Sequence, residues 1–370
     1  MLYHLFTPLA DTFTPFNVFR YITFRTAWGM MTALVIGYLV YPPFIAWMQR
    51  RRMEQAIRDD GPEAHLETKV GTPTMGGLPM IVSITLAVLL WCRLDQPEVW
   101  MALTILVGYG LIGFVDDWRK VARHSSAGLS GRWKLTWQAA IGLVVLGWGY
   151  LSGQIEPSLA LPFLKGATVH FDVLWAGAPG WLGWVYVGVA VFILLGASNA
   201  VNLTDGLDGL AIGPIMTTAV TYGLLAWVAG NHVWADYLQI PYVEGAGELT
   251  VVAMAILGAG LGFLWYNAFP ALIFMGDVGS LSLGGTLGAL AVLTKHEILL
   301  VVVGGVFVLE ALSVIVQVVS FKTTGKRVFA MAPIHHHYEK RGWAEPKIIV
   351  RFWIISLILA LVALTTLKLR

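Results

Sequence analysis

Ten apolar stretches run through the sequence, near residues 21–48, 77–93, 98–115, 134–152, 182–199, 210–229, 249–266, 278–295, 297–320 and 348–367. A helix needs about 20 mostly apolar residues to cross a bilayer, where every backbone polar group must be satisfied within the segment. A soluble fold could not hide so much apolar surface. Hydrophobic residues make up 57% of the chain and charged residues 12%, against about 25% charged in an ordinary soluble domain. The expected fold is an all-α polytopic integral membrane protein with ten transmembrane helices.

The stretches at 77–93 and 278–295 are short or glycine-rich, so their ends are soft. Gly258/Gly262 and Gly284/Gly288 have the small-xxx-small spacing that lets helices approach closely in lipid. Residues 153–180, with Pro157, Pro162 and Gly166, read as a small extracytoplasmic hairpin. No repeat or linker divides the chain, so a single integral membrane domain over 1–370 is expected. Cys92 is the sole cysteine, which excludes an internal disulfide and a cysteine-rich metal centre. The N-terminus, with Pro8 and Asp11, lacks the basic start and short apolar core of a signal peptide.

Basic residues set the orientation. The connections after odd-numbered stretches hold most of the chain's 24 lysines and arginines. Arg50, Arg51, Arg52, Arg58 and Lys69 lie in the first, and Arg119, Lys120, Arg123, Arg132 and Lys134 in the second. Lys322, Lys326, Arg327, Lys340, Arg341, Lys347 and Arg351 lie in or beside the last. Those connections should be cytoplasmic, with both termini outside.

Every unusual polar cluster falls on that same side: KVGTPTMGG (Lys69 to Gly77), FVDDWRK (Phe114 to Lys120), SNAVNLTDGLDG (Ser198 to Gly209), NAFPALIFMGDVGS (Asn267 to Ser280) and APIHHHYEKRGW (Ala332 to Trp343). The outer connections show nothing comparable, and the pattern points to one site at the membrane–cytosol boundary. Asp116 and Asp117 end the third stretch, Asp205 and Asp208 follow the fifth, and Asp277 precedes the eighth. Hard divalent cations take carboxylate oxygens, so five such groups without thiolates favour Mg²⁺ or Mn²⁺ over zinc. Each aspartate taken singly is equally a helix-end residue.

Asn199, Asn202, Asp205 and Asp208 recur every three residues. On a helix that spacing drifts about 60° per step, and Gly206 and Gly209 weaken helix there. The segment reads as a helix end unwinding into a loop with amides and carboxylates turned toward a ligand, or as an ordinary turn. The glycines of GTPTMGG and MGDVGS could bring backbone N–H groups to phosphate oxygens, or simply admit close packing. His335, His336 and His337 are consecutive and cannot all converge on one ion. They fit donors to phosphate or sugar oxygens, or a solvated basic loop. Glu310 falls inside the ninth stretch, where a carboxylate is costly, and Gln317 lies nearer its cytosolic end.

FVDDW, NLTDGLDGLA and FMGDVGSL resemble the polyprenyl-phosphate N-acetylhexosamine-1-phosphate transferase superfamily, and PTMGG and APIHHHYE are similar to its muramoyl branch in bacterial peptidoglycan synthesis. The resemblance covers roughly residues 20–370. It implies transfer of phospho-N-acetylmuramoyl-pentapeptide from UDP-N-acetylmuramoyl-pentapeptide to undecaprenyl phosphate, giving UMP and the lipid-linked product, lipid I. It also implies Mg²⁺, a homodimer, and a place in the bacterial inner membrane with the active site facing the cytoplasm. No nucleic-acid partner is expected.

Carried onto this chain, the resemblance makes Asp277 the principal metal ligand and sets Asp116 and Asp117 beside the reacting phosphates. Lys69, Thr74, Asn202, Asp205, Asp208 and Phe274 would surround the uridine end, with Phe274 stacking on the uracil. Lys120, Asn199, Asn267, Gln317 and His335 to His337 complete the candidate substrate contacts. Two rivals remain: a transferase using UDP-N-acetylglucosamine, and a transporter or flippase with Glu310 as an ion-coupling group. Direct attack by the lipid phosphate is favoured over an aspartyl-phosphosugar intermediate, because a phosphate monoester has a second pKa of about 6 and is largely dianionic at neutral pH.

Overall fold

A computed structural model describes residues 1–51, 71–123, 128–162, 164, 167–171 and 180–367. Lys69 lies outside them. Long helices occur at α1 (Ile22–Arg50), α2 (Gly77–Trp91), α3 (Pro97–Ala122), α4 (Gly131–Leu151), α5 (Gly183–Thr204), α6 (Ile212–Ala229), α7 (Leu249–Asn267), α8 (Gly276–Leu293) and α9 (Gly305–Thr324). The seven-residue α10 (Ile334–Lys340) and the long α11 (Glu345–Thr365) follow. Among the described residues, eight helices are long and apolar enough to cross a membrane, which makes this a polytopic membrane protein. The other two helices at expected positions are α2, whose 15 residues reach only about 22 Å, and α4, which carries Arg132 and Lys134 in its first turn.

Two boundaries differ from the expectation. Asp116 and Asp117 do not end α3, which runs on to Ala122. Lys120, four residues after Asp116, sits 2.6 Å from its carboxylate, so the charges are compensated on the helix itself. Likewise α5 carries Asn199 and Asn202 within it and ends at Thr204. The stretch at 297–320 is divided by Gly304 into a short helix, Leu299–Val303, and α9.

The core centres on α8, whose residues Val278 to Leu293 are all buried. Small residues permit this. A β-carbon at Gly284 or Gly288 would strike the backbone of α5 near Ser198 and Leu194, and one at Gly113 would strike the Asp277 carbonyl. Gly258 and Gly262 bring α7 against the Met30 and Leu34 carbonyls of α1. Both small-residue pairs seen in the sequence therefore sit at helix crossings.

At the far end of α8 lie the two paired strands of the expected hairpin. β1 (Ser158–Ala160) pairs antiparallel with β2 (Thr168–His170), Ser158 opposite His170. Lys295 anchors it, donating to the carbonyls of Glu156 and Ser158 and, at 2.9 Å, to the Tyr186 hydroxyl. Tyr186 in turn donates to Glu297 at 2.5 Å. At the same end Arg25 forks onto Glu248 at 2.5 and 2.6 Å, both side chains buried. The hairpin end thus holds buried charges that nothing in the sequence pattern marks. They are spent on one another and on backbone carbonyls as clasps between elements.

Candidate functional site

Because Gly113 lets α3 touch the first turn of α8, the residues one turn further along α3 arrive at that helix end. The Asp117 carboxylate accepts a hydrogen bond from Val278 N at 3.1 Å. First-turn N–H groups have no intrahelical partner and carry the positive end of the helix dipole, so an anion is stabilised there. Gly276 makes room for it: its φ is +73°, and a β-carbon would collide with Asp117. Asp116 accepts from Leu129 N at 2.5 Å. Asp277 accepts from the Asn202 amide at 3.0 Å, and that amide also donates to Ser280 at 2.8 Å.

Oxygen atoms of Asp116, Asp117 and Asp277 all lie within 4.8 Å of one another. Like charges so close repel unless compensated. Lys120 Nζ lies 2.6 Å from Asp116 and 3.4 Å from both Asp117 and Asp277. Lys134 Nζ lies 2.6 Å from Asp277 and 3.1 Å from Asp116. Three carboxylates against two ammonium groups leave a negative balance. The donors are all hard oxygens, a set that fits Mg²⁺. Asp277, with 13% of its side chain exposed against 0% for Asp116 and 3% for Asp117, is the acid most open to an incoming ion.

In the sequence Lys134 stands out only as an orienting charge. A lysine at a helix end is what the positive-inside pattern expects, so nothing marked it as part of a site. Gln138, one turn along α4, was also missed. Wholly buried, it donates to Ser198 at 2.8 Å and accepts from the Asn199 amide at 3.0 Å, while Ser198 donates to the Leu281 carbonyl. Asn199 therefore belongs to a brace joining α4, α5 and α8 beneath the acids, apart from Asn202.

The other candidates occupy more varied places. Asp205 caps α5. Asp208 accepts from Ala271 N at 2.9 Å while its own N–H donates to Glu345 at 2.9 Å, tying two connections and α11 together. Thr74 is buried beside Gly276. The GTPTMGG segment lies along FMGD: Gly76 N donates to Phe274 O at 2.8 Å, Gly77 N to Met275 O at 2.8 Å, and Phe274 N to Pro73 O at 2.9 Å. Gly76 and Gly77 thus spend their N–H groups on backbone and pack closely, so the phosphate-cradle reading of that pair is corrected. Phe274 itself is half-buried.

Asn267 donates to the Ile273 carbonyl at 2.8 Å and braces its own loop. Gln317 accepts from Val328 N and Phe329 N at 3.0 Å each, and donates to the Phe329 carbonyl at 3.1 Å. The three histidines diverge. His335 faces Glu310, His336 faces Glu339, and His337 accepts from Ala330 N at 3.0 Å. A cavity of about 240 Å³ lies at the opposite end of the molecule, between the hairpin and Gln239–Pro241, and touches none of these residues.

Comparison with known proteins meets this geometry. The family described as glycosyl transferase family 4 matches residues 99–295, the span from the start of α3 to just beyond α8. The chain is 56% identical to phospho-N-acetylmuramoyl-pentapeptide-transferases of Syntrophus aciditrophicus, Citrifermentans bemidjiense and Geobacter sp. strain M21, in each case over the full length of both chains.

Proposed function

Since the chain belongs to glycosyl transferase family 4 and, within it, to the phospho-N-acetylmuramoyl-pentapeptide-transferases, we propose that it moves phospho-N-acetylmuramoyl-pentapeptide from the UDP-linked donor to undecaprenyl phosphate. The products are UMP and lipid I. One observation carries the residue assignment: three acids from two helices meet two lysines at the N-terminus of α8.

The reaction exchanges one pyrophosphate link for another, so it needs no energy source beyond the donor. A phosphate oxygen of the lipid attacks the donor's β-phosphorus, the bond to the bridging oxygen breaks, and UMP leaves with that electron pair. Catalysis of phosphoryl transfer is largely positioning and charge stabilisation. Lys120 and Lys134 lower the repulsion between the two anionic substrates. Asp116 and Asp117 hold those lysines and the helix terminus in place, and Asp277 offers the exposed carboxylate. Asp277 and the adjacent pair would hold Mg²⁺, which when bound neutralises phosphate charge and aligns oxygens. Asn202 orients Asp277. Thr74, Asp205, Asp208 and Phe274, with Lys69, are proposed for the uridine side.

Ten spans, both termini outside, a single domain over 1–370, a cytoplasmic site in the inner membrane and a homodimer complete the reading. The acid cluster and the hairpin occupy opposite ends of α8, which supports placing them on opposite membrane faces.

Purified protein given the muramoyl-pentapeptide donor, undecaprenyl phosphate and Mg²⁺ should release UMP, and UDP-N-acetylglucosamine should not replace the donor. Equal turnover of the two donors would overturn the substrate assignment, and release that survives EDTA would overturn the metal. Recovery of a sugar-phosphate bound covalently to Asp117 would replace direct attack by a two-step path.

A further inference from the structure

Glu310 lies inside α9, and the reaction as written does not use it. Its side chain is wholly buried, as is that of His335 on α10, and His335 Nδ1 faces Glu310 Oε1 at 3.0 Å. Among the described residues Glu310 Oε2 and His335 Nε2 have no hydrogen-bond partner, so one bond holds the pair. The other edge of the imidazole rests on Gly206, where a β-carbon would collide with Nε2. Gly206 directly follows Asp205, the cap of α5, and Asn202 one turn earlier holds Asp277. The turn is gripped from its other side as well, by Trp353 donating to the Gly209 carbonyl at 3.1 Å and by Glu345 accepting from Asp208 N.

An ionisable group inside a membrane helix invites an ion-coupling role. Here the group instead ends on a histidine wedged against the Asp205–Gly209 turn. We infer that Glu310 and His335 are positioning residues, a buried latch that fixes the histidine helix against this turn and thereby sets the donor side of the site. The inference rests on the proposed function, which puts the nucleotide donor at that turn.

The test separates kcat from KM for each substrate in Glu310→Leu and Glu310→Gln. Leucine removes the acceptor, whereas glutamine keeps an oxygen for Nδ1–H. Leaving the buried imidazole N–H without its acceptor corresponds to about tenfold. Glu310→Leu should therefore raise the donor KM by about tenfold while kcat and the lipid-phosphate KM stay within about threefold, and Glu310→Gln should restore the donor KM. A donor KM unchanged in Glu310→Leu, or a fall in kcat alone, would overturn the latch. Should the leucine variant not fold, Gly206→Ala crowds His335 from the other side and should give the same split, and an unchanged donor KM there would equally overturn it. If the wild type releases no UMP, the functional reading fails separately. The latch is then read from ¹⁵N resonances of His335, which should show an Nδ1–H tautomer in the wild type that is lost in Glu310→Leu; the same tautomer in both would overturn it.

Discussion

Asp277 is the most exposed of the three acids and the only one of them that accepts from Asn202. Replacing it by Asn keeps the shape and removes the charge, so UMP release should fall by about 10³-fold with little change in thermal stability. Lys134→Gln removes one of the two ammonium groups between the acids and should cost about 10²-fold in kcat, read in the same assay. The two residues were not equally legible. Two adjacent aspartates at the end of an apolar stretch stand out because carboxylates are costly there. A lysine in the same position stands out against nothing, and only its 2.6 Å approach to Asp277 marks it. The histidines illustrate the converse: consecutive in sequence and conspicuous, they turn to three different partners.

Among the elements, the apolar stretches predicted the helices well, because burying backbone in lipid forces hydrogen bonding within each segment. Their ends were less legible where polar side chains find compensation on the same helix, as at Asp116 with Lys120. The crossing of α3 and α8 gives a prediction at this scale. Gly113→Ala would drive a β-carbon into the Asp277 carbonyl, costing about 1–3 kcal/mol and lowering both melting temperature and activity. Gly188→Ala on α5, where the added carbon meets nothing within 4 Å, should be neutral or stabilise by about 0.5–1 kcal/mol. The hairpin clasp makes a second. Burial lowers the Lys295 ammonium, in the connection after α8, from 10.5 to about 8, with Glu297 and Glu156 opposing the shift. The folded protein then binds fewer protons than the unfolded chain between those two values, so stability should rise with pH across that window. Melting temperatures in detergent from pH 8 to 10 should show this rise in the wild type and lose it in Lys295→Met.

For the molecule as a whole, orientation is the open prediction. With Cys92 buried, single cysteines introduced at the exposed positions Gln154 and Lys326 can be probed without background. In right-side-out spheroplasts an impermeant maleimide should label Gln154→Cys and spare Lys326→Cys, and the opposite result would invert the topology. That such a prediction can be written from sequence reflects what the chain determines alone: membrane residence, helix order, the crowded polar face and the family. Partition into lipid and the bias of basic residues are summed along the chain, segment by segment, and so are readable without a fold. Which acids meet, that Lys134 and Gln138 join them, that Gly76 and Gly77 serve packing, and that Glu310 reaches His335 were decided only in three dimensions. Those outcomes depend on how closely helices far apart in sequence cross, and a single missing β-carbon at Gly113 or Gly276 is enough to set that approach.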